Sequence, residues 1–262
     1  MKLAISNIAW TEEKDIDVYD LMKKYGFTGL EIAPTRIFPQ APYDDLESAY
    51  RWKEDLLHNT GFVVPSMQSI WFGRQEKLFG TETEKNILLE YTKKAIAFAE
   101  SIGCTNLVFG CPKNRCVPEG RSADEAVDFF RELGEHAAAK NTVIGMEANP
   151  PIYNTNYMNT TMEAFALIEQ VQSAGFKLNL DLGTMLENKE KAEWLEGKVG
   201  LINHVHVSEP GLKIIEKRHL HEEIAAILKG GSYAGYISIE MGKQDDLKNI
   251  EECMHYVKET FG

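Results

Sequence analysis

The stretch LINHVHVSEP, residues 201–210, decides the fold, because in it two histidines alternate with valines before the chain breaks at Ser-Glu-Pro. Successive side chains of a strand point to opposite faces, so His204 and His206 share one face and Val205 and Val207 the other. The neighbouring apolar runs obey the same grammar. In TVIGMEA (142–148) Ile144 and Met146 oppose Gly145 and Glu147, and in KLNLDL (177–182) Leu178 and Leu180 oppose Asn179 and Asp181. In YISIEM (236–241) Ile237 and Ile239 oppose Ser238 and Glu240. Each strand therefore has an apolar face for packing against helices and a polar face that looks the other way.

Working outward, four more strands are predicted, at KLAISN (2–7), GLEIA (29–33), FVVPSMQ (62–68) and NLVFG (106–110). Amphipathic stretches separate them, among them TEKNILLEYTKKAIAFAESIG, SADEAVDFFRELGEHAAAK, TMEAFALIEQVQSAG and KEKAEWLEGKVG. Gly in KKYGFTG, AESIGCTN and VQSAGFKLN marks helix-to-strand turns. Eight strand–helix units in strict alternation predict parallel strands, and with no linker or composition break they predict an α/β fold of one domain, a (β/α)₈ barrel over residues 1–262. An open doubly wound sheet fits less well, because no glycine-rich phosphate loop follows the first strand.

The chain of 262 residues is 44% hydrophobic and 26% charged, enough apolar material for a large core. Its formal charge of −12 and pI of about 5.1 argue against binding to nucleic acid or to anionic membranes. No stretch approaches the roughly 18 apolar residues of a membrane span. The opening MKLAISN reads as a strand rather than a signal peptide, and Cys104, Cys111, Cys116 and Cys253 include no CxxC pair. Reduced thiols and a cytoplasmic location are expected.

Barrels of this kind carry their chemistry at the C-terminal ends of the strands. The last inward side chains of the fifth to eighth strands are Glu147, Asp181, His206 and Glu240. Any one of them alone is more often a helix cap or a solvated group. Together they place three carboxylates and one imidazole on a common rim, and buried carboxylates in such number call for a cation. The donor set suits a hard or borderline divalent ion. His204 lies one layer deeper, as a hydrogen-bonded interior histidine or a residue behind the ligands.

IGMEANPP, NLDLGTM, HVHVSEPG and GYISIEM resemble the strand-end motifs of the xylose isomerase-like barrels, more narrowly the sugar phosphate isomerase/epimerase group that includes ketose 3-epimerases and hydroxypyruvate isomerase. The resemblance covers essentially the whole chain. It implies one divalent metal ion, Mn²⁺ foremost and Mg²⁺, Co²⁺ or Zn²⁺ as alternatives, held by Glu147, Asp181, His206 and Glu240. It implies that Glu147 and Glu240 also form the acid/base pair of an isomerase or epimerase working through a metal-stabilised enediolate, and that a homo-oligomer is to be expected. A lyase or dehydratase acting on a cyclitol-type ketone would use the same site. Three positions depart from the epimerase pattern. Tyr153, Thr184 and Leu212 stand where those enzymes carry a Glu, a His and an Arg that contact sugar, which counts against a free ketohexose. Endonucleases on the same barrel need more rim histidines than a chain with 7 in all provides.

Further substrate contacts for a sugar or sugar phosphate are expected from Glu31 and Gln68 at strand ends, and from Asn149 and Tyr153 in the loop after Glu147. Lys113 and Arg115, in GCPKNR, are candidates to receive a phosphate or carboxylate. His204 completes the substrate-side set.

Overall fold

The computed structural model describes residues 1–262. Seven strands are fully formed: β1 (Lys2–Ser6), β2 (Gly29–Glu31), β3 (Leu107–Phe109), β4 (Ile144–Glu147), β5 (Phe176–Asp181), β6 (Ile202–Val207) and β7 (Tyr236–Ile239). They pair in parallel in the order β2-β1-β7-β6-β5-β4-β3. The eighth stave, expected at 62–68, closes the ring between β2 and β3 by isolated bridges, Gly29 to Val63, Ile32 to Met67 and Met67 to Leu107. Leu30 N–H donates to the Val63 carbonyl at 2.9 Å, and Val108 N–H to the Met67 carbonyl at 2.8 Å, so both seams are bonded. Pro65 lies in the middle of this segment and has no N–H to give, which explains why it forms bridges rather than a continuous ladder.

Helices alternate with the staves. Glu82–Ile102 and Thr161–Val171 both start with a capping box, from Thr81 with Glu84 and from Thr160 with Glu163. The turn expected at Gly175 is made instead by Gln172, which takes the left-handed conformation at φ 54° and closes the helix three residues earlier. A larger departure follows β5. The helix expected over KEKAEWLEGKVG is replaced by Leu182–Asn188, followed by short 3₁₀ turns at Ala192–Leu195 and Val199–Leu201. The cause is Asp181, whose carboxylate accepts the Thr184 N–H at 2.6 Å and starts a helix directly on the strand end.

Met146, Leu178, Leu180, Val205, Val207, Ile237 and Ile239 on the outer faces of β4–β7 are all essentially inaccessible, within one core of 66 residues. Burial of such a side chain contributes roughly 2 kcal/mol. The inner faces are filled with polar groups. In β6 the pairing shifts by one residue: Leu178 lies opposite Ile202, yet Asn179 lies opposite His204 and Asp181 opposite His206. Asn203 is the extra residue of this bulge. Without it Leu180 would face His204, and the histidines would fall on the helix-facing side. The bulge thus delivers both imidazoles to the interior. Asn203 reaches across the bottom of the barrel to Asn106 Oδ1 at 2.9 Å, and Asn106 donates to Asn179 Oδ1 at 3.3 Å.

Gly145 makes room for that amide chain, since a Cβ there would stand 2.5 Å from Asn106 Oδ1 and 3.1 Å from Asn179 Cβ. Gly145→Ala is therefore expected to destabilise the protein by about 1–3 kcal/mol in a denaturant titration, the usual cost of overpacking. An unchanged unfolding midpoint would show that the amide chain tolerates displacement.

Candidate functional site

Glu147 ends β4, Asp181 ends β5, His206 sits in β6, and Glu240 follows β7 with its N–H bonded to the Val207 carbonyl at 3.0 Å. One ligand atom from each of these four residues lies within 4.8 Å of the others. Glu147 and Glu240 are each 8% exposed, His206 is wholly buried, and Asp181 is half-buried. His206 is the hub. Its Nδ1 lies 3.0 Å from Glu147 Oε1 and 3.2 Å from Glu240 Oε2, and its Nε2 lies 2.9 Å from Glu31 Oε2.

Neighbours fix these groups in place. Asn179 Nδ2 donates to Glu147 Oε1 at 2.9 Å and Asn149 Nδ2 to Glu147 Oε2 at 3.0 Å, so both oxygens of that carboxylate are oriented. Gly110 leaves space for it, because a Cβ there would lie 2.9 Å from Glu147 Oε2. Asp181 is held by the Thr184 N–H and by the Ser208 hydroxyl, which itself accepts from Gly183 N–H at 2.9 Å. Asn179 and Ser208 were not singled out by sequence reasoning. The inward position of Asn179 opposite Leu180 was the available signal, and Ser208 offered none beyond its place after His206.

The electrostatics reflect crowding. Burial, reinforced by the Glu147 and Glu240 carboxylates, raises the Asp181 pKa to about 7. Burial also raises Glu240, with Glu147 and Glu31 pushing the same way against His206. For His206, burial disfavours the imidazolium, but Glu31, Glu240 and Glu147 outweigh it and hold the pKa well above the usual value. Glu31 is likewise opposed by burial, yet His206 and His204 draw its pKa well below the ordinary range. Three carboxylates crowded at a buried rim, with one imidazole among them, form a donor set that fits a hard or borderline divalent cation.

The other expected contacts divide. Gln68, Asn149 and Tyr153 line the mouth above the cluster, with Ser69, Ser208, Val108 and Leu212. The Tyr153 hydroxyl accepts from Gly211 N–H at 2.9 Å. Thr184 is turned inward, and its hydroxyl donates to the Ala148 carbonyl at 2.7 Å. Glu31 and His204 are buried beneath the mouth rather than lining it. Lys113 is exposed and outside the lining. Arg115 is fully buried, and its guanidinium donates to the Glu147 carbonyl and to Asn149 Oδ1, both at 2.9 Å. It braces the strand end and the Asn149 side chain from behind, and its one unpartnered donor, Nε, is buried away from the mouth. No Lys or Arg lines the mouth. Trp10 and Trp71 are core residues, and Phe72 is exposed. All four cysteines are unpaired thiols. No helix is long and apolar enough to cross a membrane.

A family profile described as Xylose isomerase-like TIM barrel matches residues 19–260. Comparison with curated proteins finds no match. Among solved structures, D-psicose 3-epimerase from Clostridium cellulolyticum H10, crystallised with D-tagatose, superposes with a TM-score of 0.81 at 15% identity, covering 100% of this chain and 99% of that one. The 3-keto-D-glucoside 4-epimerase from E. coli gives 0.74 at 19% identity, with 99% of both chains covered. D-allulose 3-epimerase from Methylomonas sp., in complex with D-allulose, gives 0.71 at 18% identity over 100% of this chain and 94% of that one. At these identities the likeness is one of fold.

The raised pKa values give the metal-free protein a defined pH dependence. Between the ordinary 3.8 and about 7, folded Asp181 keeps a proton that the unfolded chain has released. His206 does the same above its ordinary 6.5. Folded protein then binds more protons than unfolded, so the stability from these groups is complete at low pH and is lost as pH rises. Glu31, with a lowered pKa, acts in the opposite sense and only in the acid range. In EDTA the melting temperature should fall from about pH 5 to about pH 8, and MnCl₂ should raise it by more at the higher pH. An equal gain from MnCl₂ at both values would contradict this electrostatic picture.

Proposed function

Because the chain belongs to the xylose isomerase-like TIM barrel family, we propose that it is a divalent-metal-dependent isomerase or epimerase for an uncharged keto-sugar, with Mn²⁺ as its preferred ion. The carrying observation is that Glu147, Asp181, His206 and Glu240 converge at the floor of a mouth whose walls otherwise offer only neutral groups.

A divalent cation held by these four residues supplies the positive charge that acidifies the C–H bond beside a substrate carbonyl and accommodates the negative charge that develops there. The chain's own residues do the rest. Glu147 and Glu240 come from different staves, with Asp181 and His206 supplied by the two staves between. They therefore approach a substrate carbon from different sides, so that one removes a proton and the other returns one to the opposite face. Asn149 and Asn179 hold the Glu147 carboxylate in one plane for this transfer. Return to the same carbon inverts it. Return to the adjacent carbon interconverts aldose and ketose. Gln68, Asn149, Tyr153 and Ser208 line the mouth, and to them we assign the contacts with substrate hydroxyl groups.

The wall chemistry narrows the substrate. With three carboxylates below and no Lys or Arg around the mouth, a phosphate would enter against like charge. Leu212 and Tyr153 stand where the resembled epimerases carry charged sugar contacts, which favours a keto-sugar less hydroxylated than a free ketohexose, or one masked by a glycosidic bond. The keto-glucoside in the name of the E. coli structure is a substrate of that second kind.

The test is turnover in D₂O by Mn²⁺-loaded protein, across free ketoses, keto-glycosides and their phosphates. Solvent deuterium should enter the recovered neutral sugar, and Glu147→Gln and Glu240→Gln should each lower kcat by about 10²–10⁴-fold. Net loss of water from the substrate, or a preference for the phosphates, would contradict the proposal.

A further inference from the structure

The cluster at the mouth rests on a second set of buried groups that no substrate can reach. Glu31, at the end of β2, is 0% exposed and lies below the mouth lining. Its Oε2 lies 2.9 Å from His206 Nε2. Its other oxygen accepts from Gln68 Nε2 at 3.3 Å, and Gln68 Nε2 also donates to Ser6 Oγ at 2.7 Å. We propose that Glu31 is a positioning residue that selects the ring nitrogen through which His206 meets the cation. The inference rests on the metal site proposed above and extends it to a residue behind that site.

A neutral imidazole carries one N–H and one lone pair, and its partners decide which nitrogen has which. On the lower side, a carboxylate at 2.9 Å accepts a hydrogen from Nε2. In the metal-free protein Nδ1 also faces carboxylates, 3.0 Å from Glu147 Oε1 and 3.2 Å from Glu240 Oε2, but with a cation engaging those two groups and Nε2–H kept by Glu31 the lone pair would be left on Nδ1. The lone pair therefore points at the point shared by the other ligands. With the acceptor below removed, the hydrogen can move to Nδ1 and bond to Glu147 or Glu240. In that tautomer His206 loses its lone pair toward the cation and also occupies a carboxylate oxygen that would otherwise bind it. Glu31 excludes that arrangement.

The surroundings fix the geometry. His204 packs edge-to-face on His206, with ring centroids 5.4 Å apart and planes at 90°, which limits rotation of the ring. His204 Nε2 lies 3.1 Å from the same Glu31 oxygen but is less well aligned with it than His206 Nε2 at 2.9 Å, so His206 is the better partner of Oε2. Gln68 ties the brace to the mouth itself, since it lines the substrate cavity while holding Glu31. Groups behind metal-binding histidines typically change affinity 10- to 100-fold when removed.

Long-range ¹H–¹⁵N correlation spectra of the protein labelled at histidine nitrogens and loaded with diamagnetic Mg²⁺ read the tautomer directly, with His206→Asn identifying the signals. The expected result is a protonated Nε2 and an unprotonated Nδ1 for His206. Calorimetric titration with Mn²⁺ supplies a second readout. Glu31→Gln keeps a carbonyl acceptor and should bind Mn²⁺ within about tenfold of wild type, whereas Glu31→Met removes it and should bind 10- to 100-fold more weakly. Both variants should keep the wild-type circular dichroism. If Glu31→Met does not fold, the wild-type spectrum and Glu31→Gln still decide. A proton on Nδ1 in the Mg²⁺-loaded wild type, or Mn²⁺ affinity unchanged in a folded Glu31→Met, overturns the assignment. Failure of the wild type to bind either ion overturns the underlying metal reading instead.

Discussion

Repulsion among buried carboxylates is the constraint around which this barrel is organised. Glu147, Asp181 and Glu240 share a rim where water is scarce; Glu147 and Glu240 make ionisation of Asp181 harder, and Glu147 does the same to Glu240. In the metal-free protein one side chain, His206, absorbs much of that charge. It touches carboxylates from β2, β4 and the end of β7, and so ties together three staves of which no two pair directly with each other. Removing one member of such a buried charge network typically costs roughly 3–5 kcal/mol, because the remainder is left uncompensated. The affinity for a cation proposed above would be the counterpart of a strained electrostatic arrangement that the fold already holds in place.

The fold meets this constraint by local devices. A single extra residue, Asn203, turns the two histidines of β6 inward. Asp181 is both a ligand candidate and the cap of the helix that follows it, so its direction is set by backbone geometry as well as by Ser208. Arg115 holds the strand-end carbonyl of Glu147 from behind, and Asn149 links that brace to the carboxylate. Positions that look like surface chemistry in the sequence are here the scaffold of the site.

The parts of this arrangement that follow from periodicity were legible in the sequence. Alternation in INHVHV, KLNLDL, VIGME and YISIE separates an outer apolar face from an inner polar one, and the structure brings the inner strand-end residues of these four staves together. Relations that depend on closure of the ring were not legible. Glu31 and His206 are 175 positions apart, and nothing local to either indicates that they touch. Arg115 reads as a free cation in GCPKNR, because only the folded loop shows which carbonyls surround it. The stave at 62–68 reads as an ordinary strand, and the missing N–H of Pro65 weakens it in a way that residue propensity understates. The helix expected after β5 moved upstream because a cap at Asp181 competes with apolar periodicity further along the chain.

The most direct measurement is a crystal structure of the protein grown with MnCl₂, with the ion located by its anomalous scattering. The account requires one strong peak within coordinating reach of Glu147, Asp181, Glu240 and Nδ1 of His206, with Glu31 still hydrogen-bonded to the far side of that ring. A peak elsewhere in the barrel, or no peak among these four side chains at saturating metal, would contradict it.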